Sequence, residues 1–158
     1  MTKYGVSNAA LIRERASARE TAVRTALFAF PLYLCGILGI KISSSVISLG
    51  GHKITSETEA TKIIRKAAAA KDTLGGEFEI RVSGTPAGLG AYSQGNRRLG
   101  AKLFYAMAAI NSVKSVRLGS ERLTGVYGSE MNTCHGCTGG IDGGITNGGE
   151  ISLTCWPG

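Results

Sequence analysis

The sequence predicts an α+β fold in a single domain that spans residues 1–158. The length of 158 residues suits one domain with one hydrophobic core, and 43% of the residues are hydrophobic. Helical and strand patterns alternate along the chain, which is typical of α with β in one domain. The clearest strand, Glu77 to Val82 (EFEIRV), alternates charged with apolar side chains, as a half-buried strand does.

The first predicted helix opens at Ser17. Ser17 and Glu20 fit a capping box, in which each side chain accepts a backbone N–H of the first turn. The helix continues to Phe30 and overlaps an apolar run, Ala26 to Ile40. This run is shorter than the ~20 residues of a membrane span. We therefore expect a buried helix that bends or stops at Pro31. The long charged leader before this run argues against a signal peptide, so we expect a cytoplasmic protein without a membrane partner.

Local signals place the remaining elements in order. A second capping box, Ser56 to Glu59, predicts an alanine-rich helix that ends before Gly75. The other predicted elements are a strand across Ile40 to Ile47, the EFEIRV strand, a helix from Leu99 to Ile110 and a strand from Val113 to Leu118.

The segment from residue 119 to 158 differs in composition. Residues 137–150 hold six of the 23 glycines of the chain, too many for a helix or a packed strand. The segment is interpreted either as a loop that a ligand approaches closely or as a flexible tail. Neither the phosphate-loop pattern nor the dinucleotide fingerprint is present in it.

Charge and cysteine usage limit the possible partners. Lys and Arg exceed Asp and Glu by 18 to 11, so the net charge of +7 favours anionic ligands. The basic residues are dispersed and aromatics make up only 6%, so nucleic acid is not expected. Cys134 and Cys137 have the spacing of zinc or redox sites, but Cys155 stands alone and completes no ligand set. The favoured interpretation is two small residues in a glycine-rich loop, and no metal is expected.

Four blocks of sequence, taken together, resemble the middle portion of chorismate synthase. They are ERASARETAVR from Glu14, AAAAKDTLGGEFEIRVSGTPAGLG from Ala67, AKLFYAMAAINSVKSVRLG from Ala101, and GGIDGGITNGGEI from Gly139. The resemblance implies a β-α-β sandwich and a homotetrameric enzyme. It also implies conversion of 5-enolpyruvylshikimate-3-phosphate to chorismate by 1,4-elimination of phosphate, with reduced FMN as cofactor. The implied partners are this phosphorylated substrate and either a homo-oligomer or an assembly with missing enzyme parts.

The resemblance also implies site residues. Arg15, Ala16 and Ser17 would lie along the flavin, and Arg15 and Arg19 would bind the anionic substrate. Free N–H groups and partial positive charge at a helix start would support such a site, and two arginines would add charge-assisted hydrogen bonds. The other implied flavin contacts are Asn111, Gly139, Gly140, Gly143, Gly144 and Asn147. The loop from Pro86 to Gly90 is interpreted as structural.

No catalytic residue is assigned from the sequence. The proton-transfer histidines of the family stand in sequence contexts that neither His52 nor His135 shares, and we expect regions of the family at both ends to be missing. The chain is therefore expected to be a chorismate synthase-like enzyme with impaired activity of its own. One alternative is a catalytically inactive module that binds an anion or flavin or joins an oligomer. A third class is a small domain that uses Cys134 and Cys137 for metal or thiol chemistry.

Overall fold

Four helices and a five-stranded sheet make up most of the part of the chain that the structure describes. The computed structural model describes residue 5 and residues 7–17, 20–119 and 137–158. Within them the elements are α1 (Ala9–Ala16), α2 (Glu20–Ile37), β1 (Lys41–Leu49), β2 (His52–Lys53), α3 (Glu57–Ala69), β3 (Gly76–Ser83), a 3-10 turn (Gly95–Arg97), α4 (Leu99–Ala108), β4 (Val113–Leu118), β5 (Ile141–Asp142), β6 (Ile145–Thr146) and β7 (Ile151–Pro157). The predicted α+β domain is confirmed.

The large sheet has the strand order β2-β1-β3-β7-β4 and is antiparallel throughout. β7 lies inside the sheet between β3 and β4, where Leu153 pairs with Ile80 on one side and with Leu118 on the other. Because directly paired residues share a face, these three side chains form one apolar layer. The buried hydrophobic residues among the described positions are Cys137, Ile141, Ile151, Leu153 and Cys155. The core therefore lies on β7 and the segment leading into it.

The second capping box shows how local sequence fixes a helix start. The Ser56 Oγ accepts the Glu59 backbone N–H at 3.3 Å, so α3 begins where predicted. The Glu59 carboxylate accepts the Thr55 hydroxyl at 2.7 Å and the Thr55 backbone N–H at 3.2 Å. These hydrogen bonds, first the one from the hydroxyl, lower the pKa of Glu59 because they favour its charged form.

The prediction of a buried helix was wrong for α2, and of the two alternatives given for Pro31, a bend or a stop, the structure excludes the stop. The helix does not stop at Pro31 but runs from Glu20 to Ile37, and none of its described residues is buried. Proline removes the hydrogen bond to the carbonyl four residues earlier, here that of Leu27. Leu27 is highly exposed, so water can satisfy that carbonyl. Among the described residues no helix is both long and apolar enough to cross a membrane.

The glycine-rich segment contains a tight hairpin. Gly143 and Gly144, with φ of 59° and 100°, connect β5 to β6. A two-residue connection with positive φ at both positions matches the twist of the flanking strands, which explains why two glycines stand here. Residues 120–136 lie outside the described residues, and flexibility of the segment from 119 to 158 stays a prediction.

Candidate functional site

The predicted site residues near the N-terminus meet the end of α4 at a contact that we call the Ser17 junction, formed by Ser17, Glu20, Arg24 and Asn111. Ser17 lies between α1 and α2, and its carbonyl accepts the Asn111 side-chain amide at 2.7 Å. The same carbonyl accepts the Glu20 backbone N–H at 3.1 Å. Two implied flavin contacts that are 94 positions apart in sequence are therefore in direct contact.

Arg24 ties this junction to the last turn of α4, a role that sequence reasoning missed. Its Nε lies 2.7 Å from the Glu20 carboxylate, and its Nη1 donates to the Ala109 carbonyl at 3.0 Å. The C-terminal end of a helix carries partial negative charge, so a guanidinium is favoured there. The Glu20–Arg24 spacing of four residues was the available signal, since it places both side chains on one helical face.

The remaining predicted residues of this region are only partly described. Ala16 ends α1 and is exposed. Arg15 belongs to α1, but its side chain and the whole of Arg19 lie outside the described residues. Their roles stay predictions. The predicted capping box at Ser17 differs in detail, because α2 begins at Glu20 and the Glu20 N–H donates to the Ser17 carbonyl.

The second group of predicted residues forms what we call the glycine hairpin, residues 139–149. Three of its glycines are explained by internal packing. A Cβ at Gly139, Gly140 or Gly144 would lie 2.5 to 2.6 Å from backbone atoms of Gly119, Glu150 and Ala91 respectively. These positions admit only glycine because other parts of the chain occupy the space.

Gly143 differs from these three because its surroundings are open. No atom of the residues that the structure describes lies within 4 Å of the position that a Cβ would take there. A glycine with positive φ and open space exposes its backbone to an approaching group, whereas a side chain would cover it. Of the four glycines implied as flavin contacts, Gly143 is therefore the one that fits contact with a bound ring or phosphate.

Thr146 organises the hairpin, although the sequence did not single it out. The side chain is 2% exposed. Its hydroxyl donates to the Pro86 carbonyl at 2.6 Å and accepts the Leu89 N–H at 2.9 Å. The loop interpreted as structural is thereby fastened to the glycine hairpin. A threonine that ends a short strand opposite a proline- and glycine-rich loop was the only available signal.

The Asn147 side chain is engaged within its own segment. Its Nδ2 donates to the Asp142 carboxylate at 2.7 Å, and its Oδ1 accepts the Gly149 N–H at 2.8 Å. The side chain is thus held in one orientation by the hairpin itself. Its implied contact with flavin stays a prediction.

The Ser17 junction and the glycine hairpin lie at opposite ends of β4. Asn111 precedes this strand, while Gly119 follows it and contacts Gly139. At about 3.3 Å per residue, the strand from Val113 to Gly119 is about 20 Å long. The structure therefore brings predicted residues together within each group and places the two groups at the two ends of one strand.

The histidine and cysteine predictions meet different outcomes. His52 is exposed in β2, as expected for a surface histidine. Cys137 is buried and disulfide-bonded, so in this form it offers no thiolate. Burial raises the pKa of the Cys155 thiol, which disfavours its reactive form. Within the described part of the chain no three His, Cys, Asp or Glu residues cluster as metal ligands; Cys134 and His135 lie outside it.

Comparison with known proteins gives a family for this arrangement. The family model described as chorismate synthase matches residues 1–156. The chain belongs to the chorismate synthase family. It is 38% identical to the chorismate synthase of Caldanaerobacter subterraneus subsp. tengcongensis and 36% identical to that of Thermoanaerobacter pseudethanolicus, in both cases over 96% of this chain and 46% of the relative.

Solved structures support the same family. The chain resembles a crystal structure of chorismate synthase with a TM-score of 0.86 at 27% identity, over 99% of this chain and 60% of that one. The helices and antiparallel sheet described above therefore have the fold of the corresponding part of a chorismate synthase. The chain spans about half the length of the curated relatives it matches.

Replacing Asn111 by aspartate tests the Ser17 junction. At neutral pH the Asn111→Asp carboxylate cannot donate to the Ser17 carbonyl, so two acceptors face each other across the former hydrogen bond. We expect a loss of about 1–3 kcal/mol in the free energy of unfolding. Urea unfolding measures this loss.

The loss of stability in Asn111→Asp should depend on pH. Repulsion raises the folded-state pKa of the new carboxyl above its unfolded value of about 3.9, so the penalty holds at neutral pH and shrinks as pH falls through the folded pKa. The exposed Asn96→Asp makes the same chemical change without this contact. If Asn111→Asp lowers the free energy of unfolding no more than Asn96→Asp does, the Ser17 junction is not a stabilising contact.

Proposed function

We propose that the chain functions in the chorismate synthase reaction, a carbon–oxygen lyase reaction in which 5-enolpyruvylshikimate-3-phosphate loses phosphate and a proton to give chorismate. The observation that carries the proposal is the family match over residues 1–156, joined to the fold similarity. The net charge of +7 favours binding of the phosphorylated substrate. The same proposal places the protein in the cytoplasm, on the pathway to aromatic amino acids.

Reduced FMN is the proposed cofactor. Of the described residues, the open backbone at Gly143 fits contact with a flavin, and the Ser17 junction sets the position of Ser17 and Asn111. Arg15, Ala16 and Ser17 would hold the cofactor at this junction, and Asn111 would hold it from the α4 side. When bound, reduced FMN would supply an electron to the substrate transiently and take it back, so the reaction would have no net redox change.

The chain's own residues account for binding more than for proton transfer. Arg15 and Arg19 would grip phosphate or carboxylate by charge-assisted hydrogen bonds, and Arg24 holds the helix that follows them. Binding alone does not lower a barrier selectively. Elimination also needs a proton donor or acceptor at the reacting atoms, and no residue of this sequence is assigned that role. We therefore propose slow turnover by this chain alone.

The proposal is tested by anaerobic assay of the purified chain with reduced FMN and 5-enolpyruvylshikimate-3-phosphate, following chorismate absorbance. Slow formation of chorismate that requires reduced FMN is the expected result. Binding of FMN and substrate without product would instead support a catalytically inactive binding module. Absence of both binding and product would overturn the proposed function.

Arg19→Ala tests the substrate-binding role that the family resemblance implies for Arg19. Loss of one charge-assisted hydrogen bond should weaken substrate binding about tenfold, on the order of 1.5 kcal/mol. Titration calorimetry with the substrate measures the change. The control is Arg65→Ala, which removes the same charge from an exposed position on α3. Equal substrate affinity of the two variants would mean that Arg19 does not bind the substrate.

A further inference from the structure

The glycine hairpin and the loop from Pro86 to Gly90 are joined by buried polar side chains. Three polar side chains are buried among the residues that the structure describes: Thr85, Thr146 and Thr154. Two of these lie at this contact, since Thr146 bonds the loop as described above and the Thr85 hydroxyl donates to the Gly149 carbonyl at 3.5 Å. Burial of a hydroxyl costs free energy unless its hydrogen bonds are made, so a buried polar contact specifies one geometry.

Thr146 makes four hydrogen bonds to this loop, two from its side chain and two from its backbone. The hydroxyl acts at once as donor to the Pro86 carbonyl and as acceptor of the Leu89 N–H. The Thr146 N–H donates to the Leu89 carbonyl at 2.9 Å, and the Thr146 carbonyl accepts the Gly88 N–H at 2.8 Å. A valine has the shape of threonine but can neither donate nor accept, so it would leave the Pro86 carbonyl and the Leu89 N–H without this partner.

The loop in turn fixes the turn of the hairpin that carries Gly143. A Cβ at Gly90 would lie 2.5 Å from the Gly144 carbonyl oxygen, so the two backbones touch directly beside Gly143. The same carbonyl accepts the Leu99 N–H at 2.9 Å, which holds the turn from the start of α4. The position of the Gly143 backbone therefore depends on the loop, and the position of the loop depends on the Thr146 hydroxyl.

We propose that Thr146 is a positioning residue for the flavin site: its hydroxyl sets the place of the open Gly143 backbone and thereby the affinity of the chain for reduced FMN. This inference rests on the proposed cofactor role. Thr146 is 2% exposed, so it is covered by the protein and acts through Gly143. Binding is stronger when the contacting group is already held in its bound position, because less freedom is lost on binding. A displaced turn would therefore weaken binding although every flavin contact residue is retained.

Anaerobic titration with reduced FMN, followed by flavin absorbance, tests this role. We expect Thr146→Val to raise the dissociation constant about tenfold, because the two hydrogen bonds of the hydroxyl are lost. Thr146→Ser keeps the hydroxyl and should bind within about twofold of the wild-type chain. The matched control is Thr154→Val, which makes the same chemical change at a threonine that is 4% exposed and belongs to β7. This control should leave the affinity unchanged.

Nuclear magnetic resonance without FMN separates a displaced turn from general destabilisation. The Gly143 amide signal should shift in Thr146→Val and keep its position in Thr146→Ser and Thr154→Val. If Thr146→Val does not fold, Thr146→Ala supplies the milder test. It leaves room for water to pair with the freed loop groups, so its dissociation constant should rise about threefold.

The outcomes distinguish this inference from the proposed function. If the wild-type chain binds reduced FMN and the folded valine or alanine variant binds it as tightly as Thr146→Ser does, the inference is overturned while the cofactor role stands. An equal loss of affinity in Thr154→Val would also overturn it, because the effect would then come from stability rather than from the hairpin. If the wild-type chain does not bind reduced FMN, the proposed cofactor role fails and the inference fails with it.

Discussion

Gly140→Ala is expected to lower the free energy of unfolding by about 3 kcal/mol or more, whereas Gly143→Ala should cost about 1 kcal/mol. Both glycines have positive φ, 78° and 59°, so alanine pays a similar backbone strain at each. Only at Gly140 would the new Cβ also meet backbone, 2.6 Å from the Glu150 carbonyl oxygen and 2.9 Å from the Ile151 nitrogen. The clash can be relieved only if the start of β7 moves.

Comparing the two variants separates the cost of the steric clash at Gly140 from the cost of backbone strain, which both variants share. Urea unfolding at one protein concentration gives both free energies, and fixed concentration matters because association adds to apparent stability. Since β7 lies between β3 and β4, a shift at its entry disturbs both neighbouring pairings. Equal losses in the two variants would mean that the hairpin relaxes freely, and that Gly140 is no more constrained than Gly143.

Leu153→Ala is expected to cost about 3 kcal/mol, within the range of 2–5 for buried leucines. Leu153 is 1% exposed and pairs with both Ile80 and Leu118, so truncation leaves a cavity between three strands that cannot easily close. The shift of the urea midpoint at constant slope measures the loss.

Leu89→Ala is the matched control for Leu153→Ala. It deletes the same atoms from a side chain that is 42% exposed, so it should cost less than about 1 kcal/mol. Similar losses at the two sites would contradict the assignment of the core to β7. A changed slope for Leu153→Ala would indicate that the substitution alters the unfolded or native ensemble as well.

Local signals predicted the elements whose causes are local. Ser56 caps α3, and the alternation of Phe78, Ile80 and Val82 marks β3, because capping and sheet alternation depend on residues within a few positions. The hairpin at Gly143 and Gly144 was predictable by the same standard. Two glycines between short apolar segments are a known hairpin signal, but glycine content was interpreted as a loop.

Non-local contacts could not be predicted in this way. The apolar sequence of α2 predicted a buried helix, but burial depends on which other segments pack against a helix, and none of the residues of α2 is buried in the structure. The contact between Asn111 and Ser17 joins residues 94 positions apart, and no local pattern specifies it. The family resemblance marked both residues, whereas only the structure shows that they touch.

The order of strands in the large sheet has a consequence for biogenesis. β4 is made before β7, yet within the described sheet it pairs only with β7, so it must wait until synthesis reaches residue 151. Ile80 and Leu153, 73 positions apart, must likewise find each other late. Sheets closed by such distant pairings fold slowly and expose unpaired edges meanwhile. The nascent chain therefore carries an open strand edge during synthesis, the stage at which a chaperone would protect it.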